Sequence, residues 1–243
     1  MKTDLNGRTA IVTGGSKGYG AGIAEALKER GAKVWITGRD EKSLCATAKR
    51  LDVRCVRAEV TSSEDWDRLF EEVLGEAKSL DILVNNAGAG GRIAPVSEMS
   101  DEDIIRGIAV NLTGPLLGCR RAAKVMSTQR SGTIINISSV CQRQAWPGWS
   151  VYSAAKAGLG QFSNGLYTEL REYGVRVTTV MPSWGATHFL EAAHLGERDA
   201  EEDRRCTQPR ELGELVASIC ELPPHLGMQD VTLLPLIQQI EPL

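Results

Sequence analysis

Short apolar runs rich in β-branched residues recur along this chain, and each gives way to a stretch whose apolar residues have helical spacing. That alternation limits the fold more than any other feature. Strands joined through helices run parallel, with right-handed crossovers. Helices then cover both sheet faces, so the strands read as continuous apolar runs. Residues 9–13 (TAIVT) give a first buried strand. A helix follows over about residues 19–30, with Ile23, Ala26 and Leu27 on one face and Gly31 as its stop. Residues 33–37 give the second strand and 41–51 the second helix. Residues 53–60 hold a third strand, and 63–77 a helix capped by Ser62 or Ser63. The fourth strand is expected at 81–85, a long helical stretch at 101–127 with Ser100 as cap, and the fifth strand at 133–138. A helix over about 152–173, a strand at 175–181, a helix at 209–221 and a strand at 229–234 complete the pattern. The expected fold class is α/β: one doubly wound, parallel, seven-stranded sheet with helices on both faces, residues 1–243 forming a single domain.

Length and composition exclude several function classes. A chain of 243 residues can bury a large core without disulfides or metals. The net charge is −3 and no basic block stands out, which argues against nucleic-acid partners. The most charged stretch, residues 197–205, mixes both signs and reads as a solvated helix or loop. Cys45, Cys55, Cys119, Cys141, Cys206 and Cys220 form no CxxC pair, and His188, His194 and His225 are scattered, so free thiols and no metal are expected. The first residues have no secretory apolar region, and no run of about 18 apolar residues exists to span a membrane. A cytoplasmic location is the expectation.

Between the first strand and first helix lies Thr13-Gly14-Gly15-Ser16-Lys17-Gly18-Tyr19-Gly20. Glycines there permit a tight turn and let backbone approach a pyrophosphate, which the helix N-terminus attracts. The second strand ends in Thr37-Gly38-Arg39-Asp40. An acidic residue at that strand tip takes ribose hydroxyls, whereas a cation accommodates a 2′-phosphate. Arg39, with Lys17 from the glycine turn, therefore points to NADP(H) over NAD(H), with Asp40 able to blunt the preference. Asn85-Asn86-Ala87-Gly88 follows the fourth strand: its small residues let adenosine pack on backbone, and its amides can tie adjacent strands. Ser139 opens a loop after the fifth strand. Tyr152 and Lys156 are four apart, so they share one face at the start of a helix. A nearby cation favours the phenolate and lowers the tyrosine pKa, which makes such a tyrosine an acid/base.

These motifs together resemble the short-chain dehydrogenase/reductase family. The residues that carry the likeness are Thr13-Gly14…Gly18-x-Gly20, Asn85-Asn86-Ala87-Gly88, Asn111, Ser139, Tyr152-x-x-x-Lys156 and Pro182…Thr187, in the family's order and spacing over nearly the whole chain. The resemblance implies a Rossmann fold and an NADP(H)-dependent oxidoreductase acting on a carbonyl or secondary alcohol. It implies that Ser139 orients the substrate oxygen, that Tyr152 transfers the proton, and that Lys156 holds the nicotinamide ribose and lowers the Tyr152 pKa. Asn111 would interrupt the long helix and hold a water in the proton path. Gly14, Ser16, Lys17, Gly18, Tyr19, Gly20, Arg39, Glu59, Val60, Asn86, Ala87, Gly88, Pro182, Trp184 and Thr187 would line the cofactor. Glu59 stands where an Asp often meets adenine, and Pro182-Ser183 replaces the frequent Pro-Gly. The ending Leu222-Pro223-Pro224-His225 is unlike that of acyl-carrier-protein reductases and closer to hydroxy-acid dehydrogenases and carbonyl reductases.

The substrate is less legible. Trp146, Trp149 and Trp184 fall in loops that should border it, which suggests an apolar or ring-bearing substrate, or else loop packing or a subunit contact. Arg143 suits a carboxylate instead. His188 and Phe189 are expected in a lid spanning about 183–208. Small residues on the helix from Tyr152 (Ala154, Ala155, Ala157, Gly158, Gly160) fit a homo-oligomer interface of dimer or tetramer, or packing on the chain's own sheet. A carbonyl reductase leads, with a 3-oxoacyl-carrier-protein reductase and a 3-hydroxy acid dehydrogenase as alternatives. An NADP(H)-binding redox sensor is the non-enzyme alternative, and a methyltransferase would leave Tyr152-x-x-x-Lys156 without purpose.

Overall fold

The computed structural model describes residues 2–88, 91–193, 196 and 199–238. His194, and residues 194–195 and 197–198 of the expected lid and charged stretch, lie outside the described residues. Seven parallel strands form one sheet in the order β3-β2-β1-β4-β5-β6-β7. These are β1 (Thr9–Thr13), β2 (Lys33–Gly38), β3 (Arg54–Arg57), β4 (Ile82–Asn85), β5 (Gly132–Ile137), β6 (Val175–Pro182) and β7 (Asp230–Leu233). The strand order reverses between β1 and β4. In open α/β sheets the crevice outside the carboxyl ends of the strands at such a point is where ligands bind.

Strand periodicity divides the core in two. All five side chains of β1 are buried, yet Ala10 and Val12 join one apolar cluster and Ile11 the other. The first cluster takes Ile23 and Leu27 from α1 (Gly18–Glu29) and Leu212 and Val216 from a helix late in the chain, α9 (Pro209–Cys220). The second takes Trp66, Leu69 and Val73 from α3 (Ser63–Ala77) and Met126 from α5 (Gly114–Gln129). Truncating one such leucine costs about 2–5 kcal/mol, so this packing fixes the strand ends on which the crevice depends.

Caps mark where the helices begin. Asp40 accepts from Ser43 N at the start of α2 (Glu41–Leu51), and Ser62, rather than Ser63, caps α3. Ser100 and Asp103 form a capping box on α4 (Asp101–Ile108). At α1 the Lys17 N-cap makes no side-chain cap bond, and Gly18 and Tyr19 of its first turn border the crevice.

The long helical stretch expected at 101–127 is interrupted at Asn111, as the resemblance implied. Between α4 and α5 the chain takes a wide π turn over Ala109–Thr113, which turns Asn111 inward. The helix carrying Tyr152 begins earlier than its apolar pattern suggests, as α6 (Ser150–Leu170), and its last residues tighten into a 3-10 turn at Arg171–Tyr173. Two short helices lie in the segment expected as a lid: α7 (Phe189–Ala192), unread in the sequence, and α8 (Ala200–Arg205), inside the charged stretch read as a helix or loop. No helix among the described residues is long and apolar enough to cross a membrane.

Candidate functional site

A cavity of about 1040 Å³ opens at the carboxyl ends of the strands. At one end stands the glycine turn. Gly14 has φ of 65°, and a Cβ there would come within 2.9 Å of the Ala87 Cα. A Cβ on Gly20 would lie 2.2 Å from the Gly14 carbonyl oxygen. Only bare backbone fits, which leaves amide groups lining the cavity. The Asn86 side chain donates to the Thr13 carbonyl at 2.9 Å, and the Asn86 and Ala87 amides donate to Thr13 Oγ1 at 3.0 and 2.9 Å. These bonds clamp β1 to β4 across the point where the sheet reverses.

Lys17, exposed, and Arg39 border the same end, with Ser16, Ser43 and Val60, while Gly18 and Tyr19 stand between the two ends, near Thr187 and Gly185. Asp40 also borders it, but its carboxylate is taken by the α2 cap and held below the usual carboxylate range, chiefly by its bond from Ser43. Glu59 pairs with Arg39 at 3.6 Å, so its carboxylate meets a cation on the neighbouring loop. Asp65 accepts from the Glu59 amide at 2.7 Å, and the Trp66 indole donates to the Val60 carbonyl at 2.8 Å. Sequence reasoning missed both supports, because nothing in the spacing of α3 shows that its first turn holds the loop before it.

At the other end, Tyr152, Lys156, Ser139 and Asn111 come together from three elements. Lys156 is buried, and its Nζ donates to the Ile137 carbonyl at 3.0 Å. Burial brings its pKa down to about 8, while the neighbouring Cys141 pulls the other way. A Cβ on Gly88 would be 3.1 Å from Asn111 Oδ1 and 3.6 Å from Lys156 Nζ, so both groups converge on one backbone step. Asn111 is anchored by donating to the Gly107 carbonyl at 3.0 Å. Behind them lies a buried polar chain: Asn85, one of the amides expected to tie adjacent strands, donates to Asn136 on β5 at 2.9 Å, and Asn136 donates to Ser163 at 2.8 Å, partners that the sequence did not reveal.

Tyr152 departs from expectation in one respect. Its pKa is raised, not lowered. Burial is the main cause, Cys141 and Tyr19 add to it, and the Ser139 hydroxyl beside it works against it. The Lys156 Nζ lies 5.7 Å from the Tyr152 ring centroid and does not offset that burial. The phenol is therefore held in its protonated form at neutral pH.

Described residues of the segment 183–208 join this end. Gly185 and Thr207 form a bridge that ties the two ends of this segment together, with Ala186 N donating to the Thr207 carbonyl at 3.0 Å. Thr187 packs over Gly18, where a Cβ would be 3.4 Å from the Thr187 Cβ. Trp146, Trp149, Pro182, Trp184, His188 and Phe189 all border the cavity. Gln238, unremarked in the sequence, also borders it and accepts from Trp184 N at 3.1 Å. Arg143 is not brought to the cavity. Its guanidinium is exposed and pairs at 3.1 Å with Asp230, the first residue of β7.

The fit to a nicotinamide dinucleotide rests on this geometry: a cavity of about 1040 Å³, a glycine turn at the start of α1 with no room for side chains, and Lys156 buried at the far end.

A family model described as short chain dehydrogenase matches residues 8–197. An uncharacterized oxidoreductase of Staphylococcus saprophyticus is 34% identical over 96% of this chain and 99% of its own. A protein of Eggerthella lenta named 3beta-hydroxysteroid dehydrogenase 1 is 37% identical over 75% of this chain and 72% of its own. Among solved structures, the closed form of a serine dehydrogenase complexed with NADP+ superposes with a TM-score of 0.89 at 29% identity, over 97% of this chain and 98% of that one.

Proposed function

The chain belongs to the short-chain dehydrogenase/reductase family of oxidoreductases, and from that premise we propose that it is an NADP(H)-dependent enzyme acting between a carbonyl and a secondary alcohol. The observation that carries this reading is one cavity with Lys17 and Arg39 at one end and Ser139, Tyr152 and Lys156 at the other. When bound, the nicotinamide supplies or accepts the hydride. The protein does the rest. Protonated Tyr152 donates to the carbonyl oxygen in reduction, and Ser139 holds that oxygen by a second hydrogen bond. Lys156 would bind the ribose hydroxyls, and Asn111, next to its Nζ, would hold a water that returns the proton. Lys17 and Arg39 would flank a 2′-phosphate, with Arg39 exchanging Glu59 for the stronger dianion.

We read the whole chain as one domain with its lid over about 183–208. We also read the face made by α4, α5 and α6 as a subunit contact, because Ile105 there is 68% exposed.

The test is NADPH and NADH consumption side by side with a panel of ketones and 3-oxo thioesters. A preference for NADPH of about tenfold or more is expected, from charge-assisted bonds worth about 1.5–3 kcal/mol each. Equal use of both cofactors would remove the NADP(H) assignment.

A further inference from the structure

The cavity beyond Tyr152 is walled by rings. Trp149 and Phe189 lie nearly parallel, with centroids 6.1 Å apart and planes 12° from each other. Each meets the Tyr152 ring edge-on at 5.6 Å. Val140 and Trp146 extend the apolar wall. Among the described lining residues, the carboxylates and guanidinium of the cavity stand at the opposite end, on the loops after β2 and β3. Lys156 is bound to the Ile137 carbonyl behind Tyr152, and His188 is exposed on the lid. Arg143, the cation the sequence offered for an acid substrate, is held outside by Asp230. A carboxylate placed against these rings would lose its hydration with no fixed cation in return. An apolar ring would find offset and edge contacts with three aromatic faces.

We propose that the substrate is an uncharged, ring-bearing ketone, or the matching secondary alcohol, whose ring rests against Trp149 and Phe189 while its oxygen meets Ser139 and Tyr152. This rests on the oxidoreductase reading above. In reduction the carbonyl carbon gains a hydride, hence two electrons, from the reduced dinucleotide, which is oxidised. The carbonyl oxygen gains the proton of Tyr152, which solvent replaces. The same rings that bury Tyr152 would thus also select the guest that reaches it.

The experiment compares NADPH consumption with 2-tetralone, ethyl 3-oxobutanoate and 3-oxobutanoate. The expected order of kcat/KM follows that sequence, with about a hundredfold or more between the first and last. Trp149→Ala and Phe189→Ala should each raise the KM for 2-tetralone about tenfold while NADPH affinity stays within about twofold. Arg143→Ala should leave all three substrates within about twofold. A kcat/KM for 3-oxobutanoate equal to or above that for 2-tetralone, lost on Arg143→Ala, overturns the proposal. If NADPH binds and no carbonyl is consumed, the enzymatic reading fails, and binding to the protein–NADP+ complex decides the substrate class. Saturation-transfer NMR of 2-tetralone that is lost in Trp149→Ala sustains the ring site. No transfer in the wild-type complex overturns it.

Discussion

The two ends of the cavity are built from different materials. At the cofactor end the main chain forms the surface: glycines at 14 and 20 leave no room for a Cβ, and Asn86 locks β1 to β4 through backbone carbonyls. At the substrate end side chains form it, on loops and on the segment after β6, where Gly185 bridges to Thr207. A main-chain surface accepts the invariant part of a ligand and tolerates almost no substitution. A side-chain surface can be rewritten residue by residue without moving the sheet. Chemistry common to a family belongs at the first, and the identity of the substrate at the second.

Substitutions can break this comparison. The largest effect is expected at Gly20. Gly20→Val drives its side chain into the Gly14 carbonyl, and cofactor affinity measured by tryptophan quenching should fall about a hundredfold or more, with loss of thermal stability. If affinity were unchanged, the turn would not be the cofactor surface. Next is the double replacement Lys17→Ala with Arg39→Ala. NADPH affinity should drop about tenfold to a hundredfold and NADH affinity by about twofold or less. Parallel losses would mean that these cations do not read the 2′-phosphate.

Lys156 sharpens the contrast through pH. Its pKa falls from 10.5 to about 8 in the fold. Below pH about 8 it is charged in both states, and between about 8 and 10.5 the unfolded chain holds the proton while the native chain does not. Stability contributed by this group therefore rises with pH across that window, by about 3 kcal/mol at most. Lys156→Met should flatten that rise in urea melts run from pH 7 to 10. The smallest effect is Arg143→Ala, within about 1 kcal/mol of wild type, because its pair with Asp230 is on the surface.

What the sequence made legible follows the same division. The glycine turn, the strand ends and the Tyr152–Lys156 spacing lie within single elements or across one turn, where helical and strand periods fix geometry. The π turn at Ala109–Thr113 inserts an irregularity that no apolar period records. The Asn85–Asn136–Ser163 chain and the Arg143–Asp230 pair join residues 27 to 87 positions apart, and only the folded loops decide such pairings. The direction of the Tyr152 shift was likewise hidden. Helical spacing puts Lys156 beside it, but burial under Trp149 and Phe189 outweighs that neighbour.

The central claim is that Tyr152 moves the proton in a cavity whose cofactor surface is independent of it. Tyr152→Phe tests this directly, with NADPH binding followed by tryptophan fluorescence and carbonyl reduction followed by NADPH loss. Binding should stay within about threefold while turnover falls by about 10²–10⁴. Turnover near the wild-type rate, or loss of binding in step with turnover, would contradict the account.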